Sequence, residues 1–370
     1  MKKNIDLTRS HRNTPQAMVN LPPHQGPIMP RRLPVVKSHI SHRPGRPERK
    51  RLPAWFKTQL PTGEAMKIFE ETRTRVESNQ LHTVCEEARC PNIHDCWSRG
   101  TATFMIAGRA CTRGCRFCAV DTMKRPAPLD PNEPSNLAEA VERMGLSHAV
   151  ITVVNRDDLP DGGAQHYRDC ITEVHNRSPE VGLELLCSDL DGNLESLAAL
   201  LHDLPLSVFA HNVECVPRLD PIVRDPRASF AQSLSILSEA SNLRPDLKIK
   251  SSLMVGLGET DEEVVDAMRL LKGSGVQMVT IGQYLRPSDR HLPVDRFPEP
   301  SSFMMWDEQA RKMGFEAVAC GPLVRSSYRA GLLFDESEGA EPVVTRDSTG
   351  SAISSLQGHR PTMGKEGLAT

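Results

Sequence analysis

Aromatic residues are scarce in this chain: three Trp, three Tyr and ten Phe make up 4% of its 370 residues. That supply argues against a single-stranded nucleic-acid binder, which stacks bases on aromatic rings. No run approaches the roughly 18 apolar residues that a bilayer span requires, so neither nucleic acid nor membrane is an expected partner. No apolar leader segment opens the chain, and a reducing, cytoplasmic compartment is expected. Acids are nearly missing from residues 1–52, which hold 2 Asp/Glu against 12 Lys/Arg, with eight prolines and only three serines. Such a segment buries too little surface to offset its ordering entropy, and it reads as a disordered basic arm. A mitochondrial or plastid transit peptide is the alternative, although those are richer in Ser and amphipathic. No tandem repeat is visible.

What remains is an acidic body, with 33 Lys/Arg and 45 Asp/Glu after residue 52. Short apolar runs at 101–107, 149–154, 183–187, 208–213, 249–255 and 278–284 predict six strands. Helical patterns occupy 65–78 ahead of them, and 136–144, 167–176, 193–201, 229–241 and 261–274 between and around them. Thr260 followed by Asp261, Glu262 and Glu263 predicts a helix start there, since acids suit the positive helix N-terminus. Strands alternating with helices give an α/β fold with a parallel sheet, wound as an open or partial barrel. Chemistry in such barrels sits on the loops that follow the strands. The expected organisation is an arm at 1–52, an N-terminal extension at 53–100, the barrel at 101–333 and a flexible tail at 334–370.

Ten cysteines are present, and six of them fall between Cys85 and Cys118. In a long chain without a leader, clustered cysteines point to metal or redox chemistry rather than disulfides. Cys111, Cys115 and Cys118 have C-x3-C-x2-C spacing and directly follow the first expected strand. Three thiolates on one short loop can hold three irons of a [4Fe–4S] cube, leaving the fourth iron open. Zinc is the plainer alternative, but structural zinc sites usually join two distant C-x2-C pairs. Cys85, Cys90 and Cys96, spaced C-x4-C-x5-C, read as a second metal site, with His94 between them as a bystander.

The C-x3-C-x2-C spacing with Phe117 resembles the radical S-adenosylmethionine superfamily. A narrower likeness is carried by Thr83-Val-Cys-Glu-Glu-Ala-Arg-Cys-Pro-Asn-Ile-His-Asp-Cys-Trp97 and by Arg109-Ala-Cys-Thr-Arg-Gly-Cys-Arg-Phe-Cys-Ala-Val120. Asn155-Arg-Asp-Asp-Leu-Pro-Asp-Gly-Gly163, the run 250–259, the run 283–294 and Cys320-Gly-Pro-Leu-Val-Arg-Ser-Ser-Tyr328 extend it. These stretches, colinear over roughly 50–333, resemble the lipoyl synthase family; residues 1–50 and 334–370 find no counterpart. Val153, Ala210 and Cys215 depart from the usual family residues.

The resemblance implies a partial (β/α)6 barrel and a sulfurtransferase. That enzyme inserts two sulfurs at C6 and C8 of an octanoyl chain bound to a carrier-protein lysine. It implies two [4Fe–4S] clusters and S-adenosylmethionine as cofactors. Cys111, Cys115 and Cys118 would hold the cluster whose open iron is chelated by adenosylmethionine, which is then cleaved to a 5′-deoxyadenosyl radical. Cys85, Cys90 and Cys96 would hold an auxiliary cluster that supplies the sulfur, with Ser327 as its fourth ligand and Ser326 as the alternative. A serine oxygen is a harder, weaker partner for iron than thiolate, which suits a cluster that is consumed. Phe117, Asn155, Asp157, Asp158 and Glu214 are the expected cofactor-facing residues, though helix capping is an equal reading of Asp157 and Asp158. His211, Asn212, Gly256, Gly258 and Arg325 are weaker candidates. The isolated Cys170, Cys187, Cys215 and Cys320 read as small buried hydrophobes. Implied partners are octanoylated lipoyl domains of 2-oxoacid dehydrogenase E2 subunits and the glycine cleavage H protein. A ferredoxin or flavodoxin donor and iron–sulfur assembly or repair proteins complete the set. Competing readings are another sulfur-inserting radical enzyme, or a zinc- or cluster-stabilised interaction module without activity.

Overall fold

The computed structural model describes residues 51–56, 62–78, 83, 90, 92–98 and 103–340. Among these, nine strands form: β1 (Thr103–Ile106), β2 (Ala110–Cys111), β3 (Asp121–Thr122), β4 (His148–Val153), β5 (Gly182–Leu186), β6 (Val208–Ala210), β7 (Lys248–Val255), β8 (Met278–Gln283) and β9 (Ala317–Gly321). Seven of them make one sheet in the order β1-β4-β5-β6-β7-β8-β9, and every neighbouring pair is parallel. The sheet follows chain order without a switch, which is a barrel wall, and β1 and β9 are its two edges. The six expected strands are all present. β4 shows why: five of its six residues are buried, as a strand covered on both faces requires.

The seventh strand, β9, was not expected from sequence. Its Ala317-Val-Ala-Cys-Gly run is short and made largely of small residues, so it lacks a β-branched signal. The helix before it, Pro300–Lys312, was missed with it. The helix expected at 261 forms over Asp261–Gly273 with a full capping box: Glu263 N–H donates to Thr260 Oγ1, and Thr260 N–H donates to the Glu263 carboxylate.

The chain after β9 turns back over the sheet. A Cβ on Gly282 of β8 would lie 2.0 Å from the Val324 carbonyl oxygen, so only glycine admits that crossing. Val324 and Leu333 then pack with Val208, Met278, Ala317 and Ala319 in a cluster separate from the main core. Leu333 belongs to a helix over Ala330–Ser337. Residues 334–337, assigned from sequence to a flexible tail, are therefore helical, because this helix has a face of the sheet to bury against; 341–370 lie outside the described residues. Below the open end, the buried Lys250 and Glu184 pair at 2.8 and 2.9 Å, and Thr280 donates to Ser252 at 2.8 Å.

Candidate active site

A cavity of about 520 Å³ opens at the C-terminal ends of the strands, the position expected for chemistry in this architecture. Register sets its wall: Met105 lies beside Thr152, Thr152 beside Leu186, and Met254 beside Gly282. All five reach the cavity, as do Cys111, Cys115 and Cys118.

The loop bearing these three cysteines is closed by parallel pairing of β2 with β3, Cys111 opposite Thr122. Four further ties fix it. Thr112 N–H donates to Asn155 O (3.0 Å), Gly114 N–H to Asp225 Oδ2 (2.8 Å) and Arg116 N–H to Val223 O (2.9 Å), while Met123 N–H donates to Cys111 O (2.9 Å). Two sulfurs accept backbone hydrogen bonds, Cys111 from Arg113 N–H (3.4 Å) and Cys115 from Asp225 N–H (3.3 Å). Such bonds favour thiolate and tune any cluster it carries.

Burial opposes that charge. It raises the Cys111 thiol and pushes Cys115 up to about 11 and Cys118 to about 12, with neighbouring cysteine charges adding to the rise. The thiols thus stay protonated unless a cation displaces the protons. A single zinc ion would hold three sulfurs within about 4 Å of one another. Among the described residues, the only trio of His, Cys, Asp or Glu ligand atoms all within 4.8 Å of one another lies elsewhere. The ligand atoms of Cys111, Cys115 and Cys118 do not all lie within that distance of one another.

A residue that sequence reasoning missed organises the loop. Arg113, buried between Cys111 and Cys115, bonds both oxygens of Asp157 (2.9 and 3.0 Å), Asp189 Oδ2 (2.5 Å) and Asp191 Oδ1 (3.1 Å). Burial disfavours its charge, yet hydrogen bonds with Asp157 and the pairing with Asp189 hold its pKa above the ordinary value. Asp225 is a second missed anchor. Its carboxylate takes Gly114 N–H and Arg227, whose other nitrogens reach Asp157 and Thr112 O. An arginine inside a cysteine motif, with acids after two later strands, was the available signal.

Of the expected cofactor-facing residues, Phe117, Asn155 and Glu214 line the cavity. Asp157 and Asp158 are not among the cavity residues, and each is engaged elsewhere. Asp157 is taken by Arg113, Arg227 and Thr112. Asp158 pairs with Arg156, which lowers its pKa. Glu214 sits at φ 67°, a strained conformation for a non-glycine residue, held by bonds to β7 on both sides. Burial raises its pKa against the opposing pull of Arg224 and Asn212. His211 also lines the cavity; it donates from Nδ1 to Cys187 O and accepts at Nε2 from Ser233.

The second cysteine set is partly visible. Cys85 lies outside the described residues, whereas Cys90, Ser326 and Ser327 line the same cavity as the first set. Cys96 is half-buried on the helix Ile93–Ser98 and is not among the cavity residues. Three ties join this segment to the closing one, 230 residues onward. Asn92 Nδ2 donates to Leu323 O (2.5 Å), Asp95 faces Arg329 (3.6 Å), and Tyr328 bonds Asp95 while stacking under Arg329 (5.1 Å). Ser327 Oγ accepts from Thr103 Oγ1 at 2.9 Å. Arg325, beside Cys90, has its pKa lowered by burial. The donor set at this end, thiol with hydroxyl beside a guanidinium, fits an anionic iron–sulfur cluster.

Comparison with known proteins follows the same division. The family model described as "Radical SAM superfamily" matches residues 105–271, and the one described as "N-terminal domain of lipoyl synthase of Radical_SAM family" matches 36–90. The second match begins at 36, so residues 36–50, expected to lack a counterpart, have one. A protein of Arthroderma otae is 50% identical over 291 residues, covering 77% of this chain and 70% of its own length. One of Yarrowia lipolytica is 50% identical over 292 residues, covering 78% and 82%. One of Komagataella phaffii is 49% identical over 290 residues, covering 77% and 69%. All three are named "Lipoyl synthase, mitochondrial".

Proposed function

Because the chain belongs to the lipoyl synthase family of the radical S-adenosylmethionine superfamily, we infer that its cavity is where an octanoyl chain receives two sulfur atoms. One observation carries this reading: Cys90 and Ser327 open onto the same cavity as Cys111, Cys115 and Cys118. When bound, two [4Fe–4S] clusters and S-adenosylmethionine supply the radical that removes hydrogen from C6 and C8 and the sulfur that replaces it. Cys111, Cys115 and Cys118 would hold the first cluster; Cys85, Cys90, Cys96 and Ser327 would hold the auxiliary one.

The chain's own residues have separable tasks. Arg113 and Asp225 hold the cysteine loop in one geometry. Phe117, Asn155 and Glu214, which line the cavity, would face adenosylmethionine when it is bound. Met105, Leu186 and Met254 give the acyl chain an apolar wall that excludes water from the reacting carbons. Membership of the lipoyl synthase family does not favour a zinc-stabilised interaction module.

The acyl chain would arrive on a lysine of a lipoyl-carrier domain, an E2 subunit or an H protein, with a ferredoxin or flavodoxin as electron donor. The cytoplasmic expectation finds no support in relatives named mitochondrial. The mitochondrion is the better reading, and the 12 Lys/Arg against 2 Asp/Glu in residues 1–52 suit its import signals. No helix among the described residues is long and apolar enough to cross a membrane.

Anaerobic incubation with adenosylmethionine, a reductant and an octanoyl-lysine peptide tests the function. The expected peptide gains two sulfur atoms and loses two hydrogens at C6 and C8. Formation of 5′-deoxyadenosine with no sulfur in the peptide would reject the reading.

A further inference from the structure

Away from the cavity, Glu133 opens the helix Glu133–Met144, while His166 and Cys170 lie one turn apart on the helix Ala164–Arg177. Glu133 Oε2 is 2.5 Å from His166 Nε2, and Cys170 Sγ is 3.8 Å from that same nitrogen. In a nucleophilic triad the thiol and the carboxylate would address opposite ring nitrogens. Here both converge on one, which is how ligands gather around an ion.

We propose that Glu133, His166 and Cys170 form a zinc site with one position left open, independent of the iron–sulfur chemistry. Imidazole nitrogen, thiolate sulfur and carboxylate oxygen together form a donor set that zinc accepts at about 2.0–2.3 Å. At tetrahedral angles those bonds put nitrogen and sulfur about 3.6 Å apart and nitrogen and oxygen about 3.3 Å apart. Cys170 already stands near its place, and the carboxylate must withdraw by about 0.8 Å. Cys170 and His166 are buried, whereas the Glu133 side chain is 16% exposed, so the ion can enter from the carboxylate side. Ala107 N–H donates to Glu133 Oε2 at 2.8 Å, the kind of outer bond that orients a ligating carboxylate. The bound ion takes the place of the proton between Nε2 and Oε2, and that proton and the thiol proton leave to solvent. Because Ala107 ends the run from β1 toward Cys111, an ion here would brace the start of the cysteine loop.

The test uses holoenzyme with its clusters assembled, so that their cysteines are occupied, and adds cobalt(II) and then zinc alone. One cobalt per chain should bind with a thiolate-to-cobalt charge-transfer band and the ligand-field bands of four-coordinate cobalt, and zinc should abolish both. Cys170→Ala should lose the charge-transfer band, and His166→Gln should bind at least roughly tenfold more weakly, with iron content and circular dichroism unchanged. Absence of the band from the parent protein, or its persistence at full strength in Cys170→Ala, would overturn the site.

Discussion

His211 is satisfied as a neutral ring, Nδ1 donating to Cys187 O and Nε2 accepting from Ser233. The Ser233 hydroxyl, which accepts from Arg224, still carries the hydrogen it gives to Nε2. Burial lowers the His211 pKa to about 4, with the nearby Asp189 charge opposing. The unfolded chain binds that proton below about 6.5. Its contribution is therefore complete above pH 6.5 and is lost as pH falls toward 4, on the order of 3 kcal/mol in all. Urea unfolding of the parent and His211→Gln at pH 7 and pH 4.5 should show the gap between them shrinking in acid. A gap that holds constant would mean the imidazole is protonated in the fold.

Ser327 gives the second residue-scale prediction. Ser327→Ala removes the acceptor of the Thr103 hydroxyl and should cost about 1 kcal/mol. Its cluster should still assemble, with water or an added ligand in place of the hydroxyl. Ser327→Cys supplies a softer, firmer iron ligand, so it should hold iron fully yet give less lipoyl product than the parent. Equal product from Ser327→Cys would show that the serine oxygen is not what makes the cluster labile. The motif cysteines were legible because their spacing is local. Asp157 was less legible for the opposite reason: its partner, the buried Arg113, lies 44 positions away.

Between elements, the decisive contact is the crossing of the closing segment over β8. Gly282→Ala drives a methyl into the Val324 carbonyl, and the chain must shift just upstream of Ser327. The loop carrying Cys111, Cys115 and Cys118 has its own anchors in Asn155, Asp225 and Val223. Iron should therefore fall from about eight to about four per chain, while adenosylmethionine cleavage continues and sulfur insertion stops. Full iron and normal product would show that the crossing does not position the auxiliary site. This level of organisation was only half readable beforehand. Hydrophobic runs announced six strands, but β9 is built of small residues whose value lies in letting another segment pass. The helix Ala330–Ser337 has a reason to fold only once the exposed face of the sheet exists.

On the scale of the whole molecule, Cys90 opens onto the same chamber as Cys111, Cys115 and Cys118, and the segment after β9 ties its neighbourhood to the barrel. Asn92 with Leu323 and Asp95 with Arg329 lock the N-terminal extension to the end of the barrel. An acyl chain in the cavity would thus lie between a radical source on one loop and a sulfur source on the other. The most direct test assembles the auxiliary cluster with heavy sulfide and weighs the lipoyl product after a single anaerobic reaction. Two heavy sulfurs in each lipoyl group, with about one product per chain when no repair system is present, is the predicted result. Unlabelled sulfur in the product, or sustained turnover by Cys90→Ala, would contradict it.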